Sequence, residues 1–464
     1  MTEARPEQPH PLAGQRILFI HQNFPGQFVH LAQELVRLGC EVKALAIERR
    51  PVPEGVDVRR YEVRAGTVLP REDVASDMEV KTRRALACAA AMRQLASEGF
   101  RPALIVAHPG WGESLFCKDV WPDAVLVAYG EFFYQADGAD YGFDPEFNQP
   151  GVEGRMRLRM RNTALLHAYQ AADAILCPTE WQRSCLPREF QAKAAVIFDG
   201  VDTRVVRPEP NAFIRLGRTG LQLRREDSVL TFVNRNLEPY RGFHIFMRAL
   251  PEILARNPRT RCVIVGDDSV SYGAPPRSHR NWREAMLDEV GSRLPADRIH
   301  FVGRVAYADY LRLLQVSTCH AYLTYPFVLS WSCIEALAAG CRVAGSATPP
   351  VREVIAPGHN GLLFDFFDVP GLARTVSDVL QDPRAYDPLA ETAVREAQAK
   401  YDLETACKPR QVQWLAALLA RGGGPSDSGG RLPEAEPTSQ RLTSAMLASA
   451  RSPASARSRT TDRR

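Results

Sequence analysis

The sequence predicts an α/β protein built from two doubly wound, parallel-sheet domains that face a cleft. Three observations predict it. Short apolar runs of strand length alternate with helix-periodic segments along most of the chain. The alternation comes in two series, separated by a looser stretch at 199–211 that holds Pro208 and Pro210. The length, 464 residues, suits two large domains.

The first series opens with RILFIH at 16–21, a strand. Residues 28–38 follow as a helix with Phe28, Leu31, Leu35 and Leu38 on one face and Gly39 as its stop. Residues 41–47 form the next strand, which completes the β-loop-α-β opening of a parallel sheet. A long helix is predicted over 73–98, strands over 103–108 and 124–129, a helix over 153–172, and strands over 173–177 and 194–198. The second series places strands at 229–233, 261–266, 299–302, 319–323, 341–345 and 361–364. Its helices are expected at 242–256, 280–294, 306–316, 331–339, 351–356 and 369–381. The organisation read from this is a flexible 1–15, one domain over 16–205, a second over 206–400, a helix over 401–420 and a disordered tail over 421–464. In open parallel sheets ligands sit outside the carboxyl ends of the strands, so the loops there are the places to look for chemistry.

Composition narrows the function. Apolar residues make up 45% and charged residues 24%, which is ordinary for a soluble globular protein. No apolar run reaches membrane-spanning length. The first fifteen residues carry Glu3, Glu7 and three prolines and lack the basic and apolar regions of a signal peptide, which predicts a cytoplasmic chain. The ten cysteines include no CxxC pair and mostly sit in apolar segments, so buried thiols are expected rather than metal ligands or disulfides. The net charge of +4 comes from residues 421–464, where eight arginines meet four carboxylates. The rest is neutral overall, which gives no support to a nucleic-acid partner.

The first chemical constellation is YLTYPFVLSWSCIEALAAGCRV at 322–343, a strand, a turn at Pro326 and a helix stopped by Gly340. A helix start after a strand exposes backbone N–H groups that favour an anion. Ser330 and Ser332 lie at that start, and Glu335 is one turn in, where it could accept hydrogen bonds from two ribose hydroxyls. Ser332-x-x-Glu335 also fits a capping box with no ligand. The second constellation is FVNRNLEPYRG at 232–242, where Arg235 and Arg241 flank a short strand-to-helix loop. Fixed cations there suit a departing diphosphate, although two loop arginines can also be plain surface charges.

The first segment resembles the signature of family 4 glycosyltransferases, and the wording YPFVLSWS at 325–332 resembles a bacterial subgroup with a variant of its two-glutamate motif. That resemblance implies a GT-B fold, metal-independent transfer of a sugar from a nucleotide donor, and retention of anomeric configuration. It implies that Glu335 binds the donor ribose and that Arg235 and Arg241 serve the diphosphate. The family's first glutamate would fall on Phe327, so its usual contact to the donor sugar is missing. The second segment is similar to the family's G-R-L-x-x-x-K-G, with Asn234 for glycine and Arg241 for lysine.

The resemblance puts the base near Gly303 and an acceptor-side glycine loop at Gly26, in HQNFPGQ at 21–27. The absence of G-x-G-x-x-G argues against an NAD-dependent dehydrogenase. His108, in HPGWG, and Glu131, in YGEFFY, follow strands and are candidates for substrate binding. Many family members have a histidine near the latter position; this chain has Glu131. The donor is expected to be a UDP-, GDP- or ADP-sugar, the acceptor a glycan, a lipid-linked sugar or a small molecule, and no cofactor or metal is expected. Arg155, Arg157, Arg159 and Arg161 line a helix that is either solvated or in weak peripheral contact with anionic lipid. A sugar-nucleotide epimerase or hydrolase, and a non-catalytic sugar-nucleotide binder, are the alternatives.

Overall fold

A computed structural model of the chain describes residues 10–64, 73–147, 151–217 and 220–422. Residues 1–9 of the start expected to be flexible over 1–15, and 423–464 of the tail expected to be disordered over 421–464, lie outside the described residues.

The amino-terminal sheet has seven parallel strands: β1 (Arg16–Ile20), β2 (Glu41–Ala46), β3 (Asp57–Arg60), β4 (Leu104–Ala107), β5 (Val125–Tyr129), β6 (Ala174–Cys177) and β7 (Ala194–Val196). Their order is β3-β2-β1-β4-β5-β6-β7. A small antiparallel pair follows, β8 (Phe213–Arg215) and β9 (Gln222–Arg224). The carboxy-terminal sheet comprises β10 (Val229–Asn236), β11 (Arg261–Asp267), β12 (Ile299–Gly303), β13 (Cys319–Tyr322), β14 (Val343–Ser346) and β15 (Leu362–Phe364). Its order, β12-β11-β10-β13-β14-β15, is again wholly parallel.

Burial explains the runs. β4, β5 and β6 are buried at every residue, as expected for strands covered by helices on both faces. Each sheet reverses its winding once, between β1 and β4 and between β10 and β13. Those reversals open a crevice at the carboxyl ends of the strands, and the candidate site residues cluster at these two crevices.

The structure departs from the sequence reading in a few elements. Strand β3 was not expected; its exposed Asp57, Arg59 and Arg60 hide any apolar alternation. The β8–β9 pair lies where only a loose connection was expected. The predicted helix at 351–356 is a single turn, Pro349–Arg352, which starts on its two prolines. An additional helix runs over Asp387–Tyr401. The last helix is Lys408–Ala420, preceded by a wide π turn at Leu403–Cys407 capped by Asp402.

That last helix returns to the first domain. Val412 and Leu415 are buried in the core formed by β1, β2 and the helix Val29–Arg37. The chain therefore crosses between the domains twice, and the two crossings pair with each other. Val201 N–H donates to the Tyr401 carbonyl at 2.9 Å, and Leu403 N–H donates to the Val201 carbonyl at 2.9 Å. All ten cysteines are free and buried. Among the described residues no helix is long and apolar enough to cross a membrane.

Candidate functional site

The amino-terminal half of the site is built at the β1/β4 reversal. His21 follows β1, His108 follows β4, and both rings are buried. They meet edge to face at 5.2 Å, and His108 stacks on Trp111 at 4.3 Å. Glycine lets the loops fold back onto these rings: a Cβ on Gly26 would lie 2.6 Å from His21, and one on Gly110 2.8 Å from His108. Gly26 also has φ +50°. Its close approach is to the His21 ring.

Glu131 lies two residues beyond β5. Its carboxylate accepts from Gln27 Nε2 at 3.2 Å and pairs with His108 Nε2 at 3.2 Å. Burial pushes its pKa up, but His108, His21 and Arg235 outweigh that and leave it below the usual carboxylate value.

The carboxy-terminal half is built at the β10/β13 reversal. The two arginines differ sharply. Arg235 is exposed at the carboxyl end of β10, and its charge reaches Glu131. Arg241 is buried, donates from Nη1 to Thr324 Oγ1 at 2.7 Å and to the Val328 carbonyl at 3.0 Å, and lies over the Tyr272 ring at 5.3 Å. It fixes the loop that leads into the helix Trp331–Ala338. Gly242 follows at φ +67°, and a Cβ there would meet Leu323 Cβ at 2.3 Å.

The capping-box reading of Ser332 and Glu335 does not hold. The N-cap is Ser330, whose Oγ accepts from Ser332 N at 3.4 Å and from Ser332 Oγ at 3.0 Å. The Glu335 carboxylate turns away from the cap and accepts from Tyr307 Oη and Tyr310 Oη, both at 2.7 Å. One turn of a neighbouring helix thus clasps both oxygens. Gly303 ends β12 with φ +69° and open space around it, two strands away from β10.

Several participants escaped the sequence reading. Glu238 is fully buried and accepts from the backbone N–H groups of Ser271, Tyr272 and Gly273, at 3.0–3.1 Å. Asp199, read only as the start of the looser stretch between the domains, accepts from Tyr129 Oη at 2.9 Å and from Trp331 Nε1 at 2.8 Å. It joins the floor of one domain to the helix start of the other. Burial drives its pKa up to about 7, against the lowering effect of Trp331 and Tyr129. Phe327 is buried among Phe132 at 4.6 Å, Tyr272 at 5.0 Å and Tyr240 at 5.7 Å, an aromatic cluster drawn from both domains. A segment after β5 straps across it: Tyr325 Oη donates to Asp144 at 2.8 Å, and Arg248 holds Glu146 in a two-pronged ion pair. Of the arginine row, Arg155 pairs with Asp137 at 2.7 Å and Arg161 lies over the Tyr134 ring at 4.1 Å.

Two parallel-sheet domains, facing crevices and an arginine-bearing loop opposite a helix start can be compared with known proteins. Residues 38–206 match the family described as glycosyl transferase family 4 group, and residues 218–399 match glycosyl transferases group 1. Each domain of the chain thus matches a glycosyltransferase family.

Among curated relatives, the chain is 29% identical over 237 residues to a D-inositol 3-phosphate glycosyltransferase of Nocardioides sp., covering 49% of this chain and 50% of that one. A D-inositol 3-phosphate glycosyltransferase of Corynebacterium efficiens is 24% identical over 381 residues, covering 79% and 84%. The chain spans about half the length of several of the curated relatives it matches. Among solved structures, Anabaena HepE in complex with UDP and glucose superposes with a TM-score of 0.61 at 16% identity, covering 87% of this chain and 100% of that one. Sucrose-phosphate synthase from Thermosynechococcus elongatus gives 0.65 at 18%, covering 88% and 100%. These likenesses establish the GT-B fold.

Proposed function

We propose that the protein transfers a sugar from a nucleoside-diphosphate-sugar to an acceptor hydroxyl, with retention of configuration and with the donor as substrate in place of any cofactor. The observation that carries this reading is the facing of the two crevices, with Arg235 on one wall and Glu131 on the other. Breaking the bond between the sugar and the diphosphate develops negative charge on the phosphate and positive charge on the sugar. Arg235 stabilises the first, together with the positive end of the dipole of the helix Trp331–Ala338. Arg241 holds that helix start in place. Glu335, with its oxygens fixed by two tyrosines, accepts hydrogen bonds from the ribose. Structural neighbours with bound UDP or ADP support a nucleotide donor.

Thermal shift with UDP-, GDP- and ADP-sugars tests the reading, because a ligand that binds only the folded state raises the melting temperature by mass action. One of the three series is expected to stabilise the protein. Product analysis with and without added acceptor then separates transfer from hydrolysis. No stabilisation by any of them, or unimpaired turnover in Arg235→Ala and Arg241→Ala, overturns it.

A further inference from the structure

Glu131 sits at the end of two hydrogen-bond chains whose polarity is fixed from the backbone. Asn23 N–H donates to His21 Nδ1 at 3.0 Å. That leaves Nε2 of His21 as the protonated nitrogen, 2.9 Å from Gln27 Oε1. With its oxygen engaged, Gln27 turns Nε2 to Glu131 Oε1 at 3.2 Å. On the other side Gly110 N–H donates to His108 Nδ1 at 3.2 Å, so His108 Nε2 carries the proton it presents to Glu131 Oε2 at 3.2 Å. Both rings therefore take a hydrogen bond at Nδ1 and present Nε2 as the donor. Burial lowers the pKa of His21 to about 3.

Each Glu131 oxygen thus receives one donor, and only an ionised carboxylate satisfies both chains at once. A carboxylate has about four acceptor positions, so about two remain. The side chain is 40% exposed, while the two histidines that aim it are nearly fully buried. It lies within electrostatic reach of Arg235 of the carboxy-terminal domain.

We infer that Glu131 is the sugar-recognising residue of the donor site: an acceptor-only carboxylate, supplied by the amino-terminal domain, that takes hydrogen bonds from donor-sugar hydroxyls. Gln27, His21 and His108 are positioning residues that hold it ionised and aimed. This rests on the nucleotide-sugar reading given above. It assigns Glu131 to the sugar and leaves the nucleotide to the carboxy-terminal domain.

The test compares two ligands on the full-length protein by titration calorimetry: the best-stabilising of UDP-glucose, GDP-mannose and ADP-glucose, and the matching nucleoside diphosphate without the sugar. In Glu131→Ala and Glu131→Gln the sugar nucleotide is expected to bind about 10–100-fold more weakly, as for the loss of hydrogen bonds to a charged group. The bare diphosphate should keep its wild-type affinity. Gln27→Leu should give a smaller loss of the same kind, and a kcat/KM that falls with the sugar-nucleotide affinity. Equal losses for both ligands, or no loss for either, overturn the assignment. The near-isosteric glutamine variant with an unchanged melting temperature excludes misfolding. If wild type binds none of the three sugar nucleotides and none of the bare diphosphates, the nucleotide-sugar reading itself fails, and the assignment with it.

Discussion

At the scale of single residues, the site separates groups that act on a ligand from groups that hold others in place. Arg235 is exposed to the cleft, so Arg235→Ala should lower kcat/KM about 100-fold while the melting temperature stays put. Arg241 is buried between Thr324 and the Val328 carbonyl. Its removal leaves both without a donor, so Arg241→Ala should cost about 2–3 kcal/mol of stability as well as activity, measured by urea unfolding. Glu335→Gln should weaken nucleotide binding in calorimetry without loosening the helix, because Ser330 rather than Glu335 provides the cap. Asp199 gives a pH signature. Its folded pKa, about 7, lies above the ordinary 3.8, so the folded chain holds this proton more tightly than the unfolded one. The stability it contributes is complete below about pH 4 and is lost as the pH rises through about 7. Asp199→Asn should therefore gain on wild type between pH 5 and pH 8, by on the order of 2 kcal/mol in unfolding free energy. A difference between the two proteins that is constant with pH would contradict it.

At the scale of elements, legibility followed burial. The strands β4, β5, β6 and β13 are wholly buried, and their apolar runs gave them away. β3 carries polar side chains on an edge, where neither alternation nor an apolar run is required. The helix Trp331–Ala338 was readable down to its stop at Gly340, yet its cap was assigned two residues late, since serine at 330 and serine at 332 obey the same local preference. The Glu238 anchor was invisible for another reason: its partners are backbone N–H groups of a loop more than thirty residues away, and no side chain marks them. That anchor fixes the loop that places Tyr272 against Arg241 and Phe327. Glu238→Ala is thus expected to destabilise the fold by about 2–4 kcal/mol, because three backbone N–H groups lose their charged acceptor, and hydrogen exchange at 271–273 should accelerate.

For the whole molecule, the two-domain architecture and the arginine and glutamate motifs could be read from the sequence, whereas the join between the domains could not. Asp199 meets Trp331, Tyr325 meets Asp144, and Glu353 accepts from the amides of Glu180 and Trp181, all contacts between residues more than a hundred positions apart. Nothing local in sequence announces such pairs. The last helix makes the same point through stability. Truncation after residue 421 should leave the melting temperature unchanged. Truncation after residue 400 removes the buried Val412 and Leu415 and should cost about 3–6 kcal/mol. Equal melting of the two truncated chains would rule out a structural role for this helix. The paired crossings at Val201 and Tyr401–Leu403 carry one more consequence. A single tether lets two bodies tumble about every axis. Two tethers stitched side by side behave as a piano hinge, stiff to twist and shear and free only to swing. The gap between Arg235 and Glu131 can then widen or narrow, but the two walls cannot slide out of register, so each closure should return the same pair of side chains to the same face of the ligand.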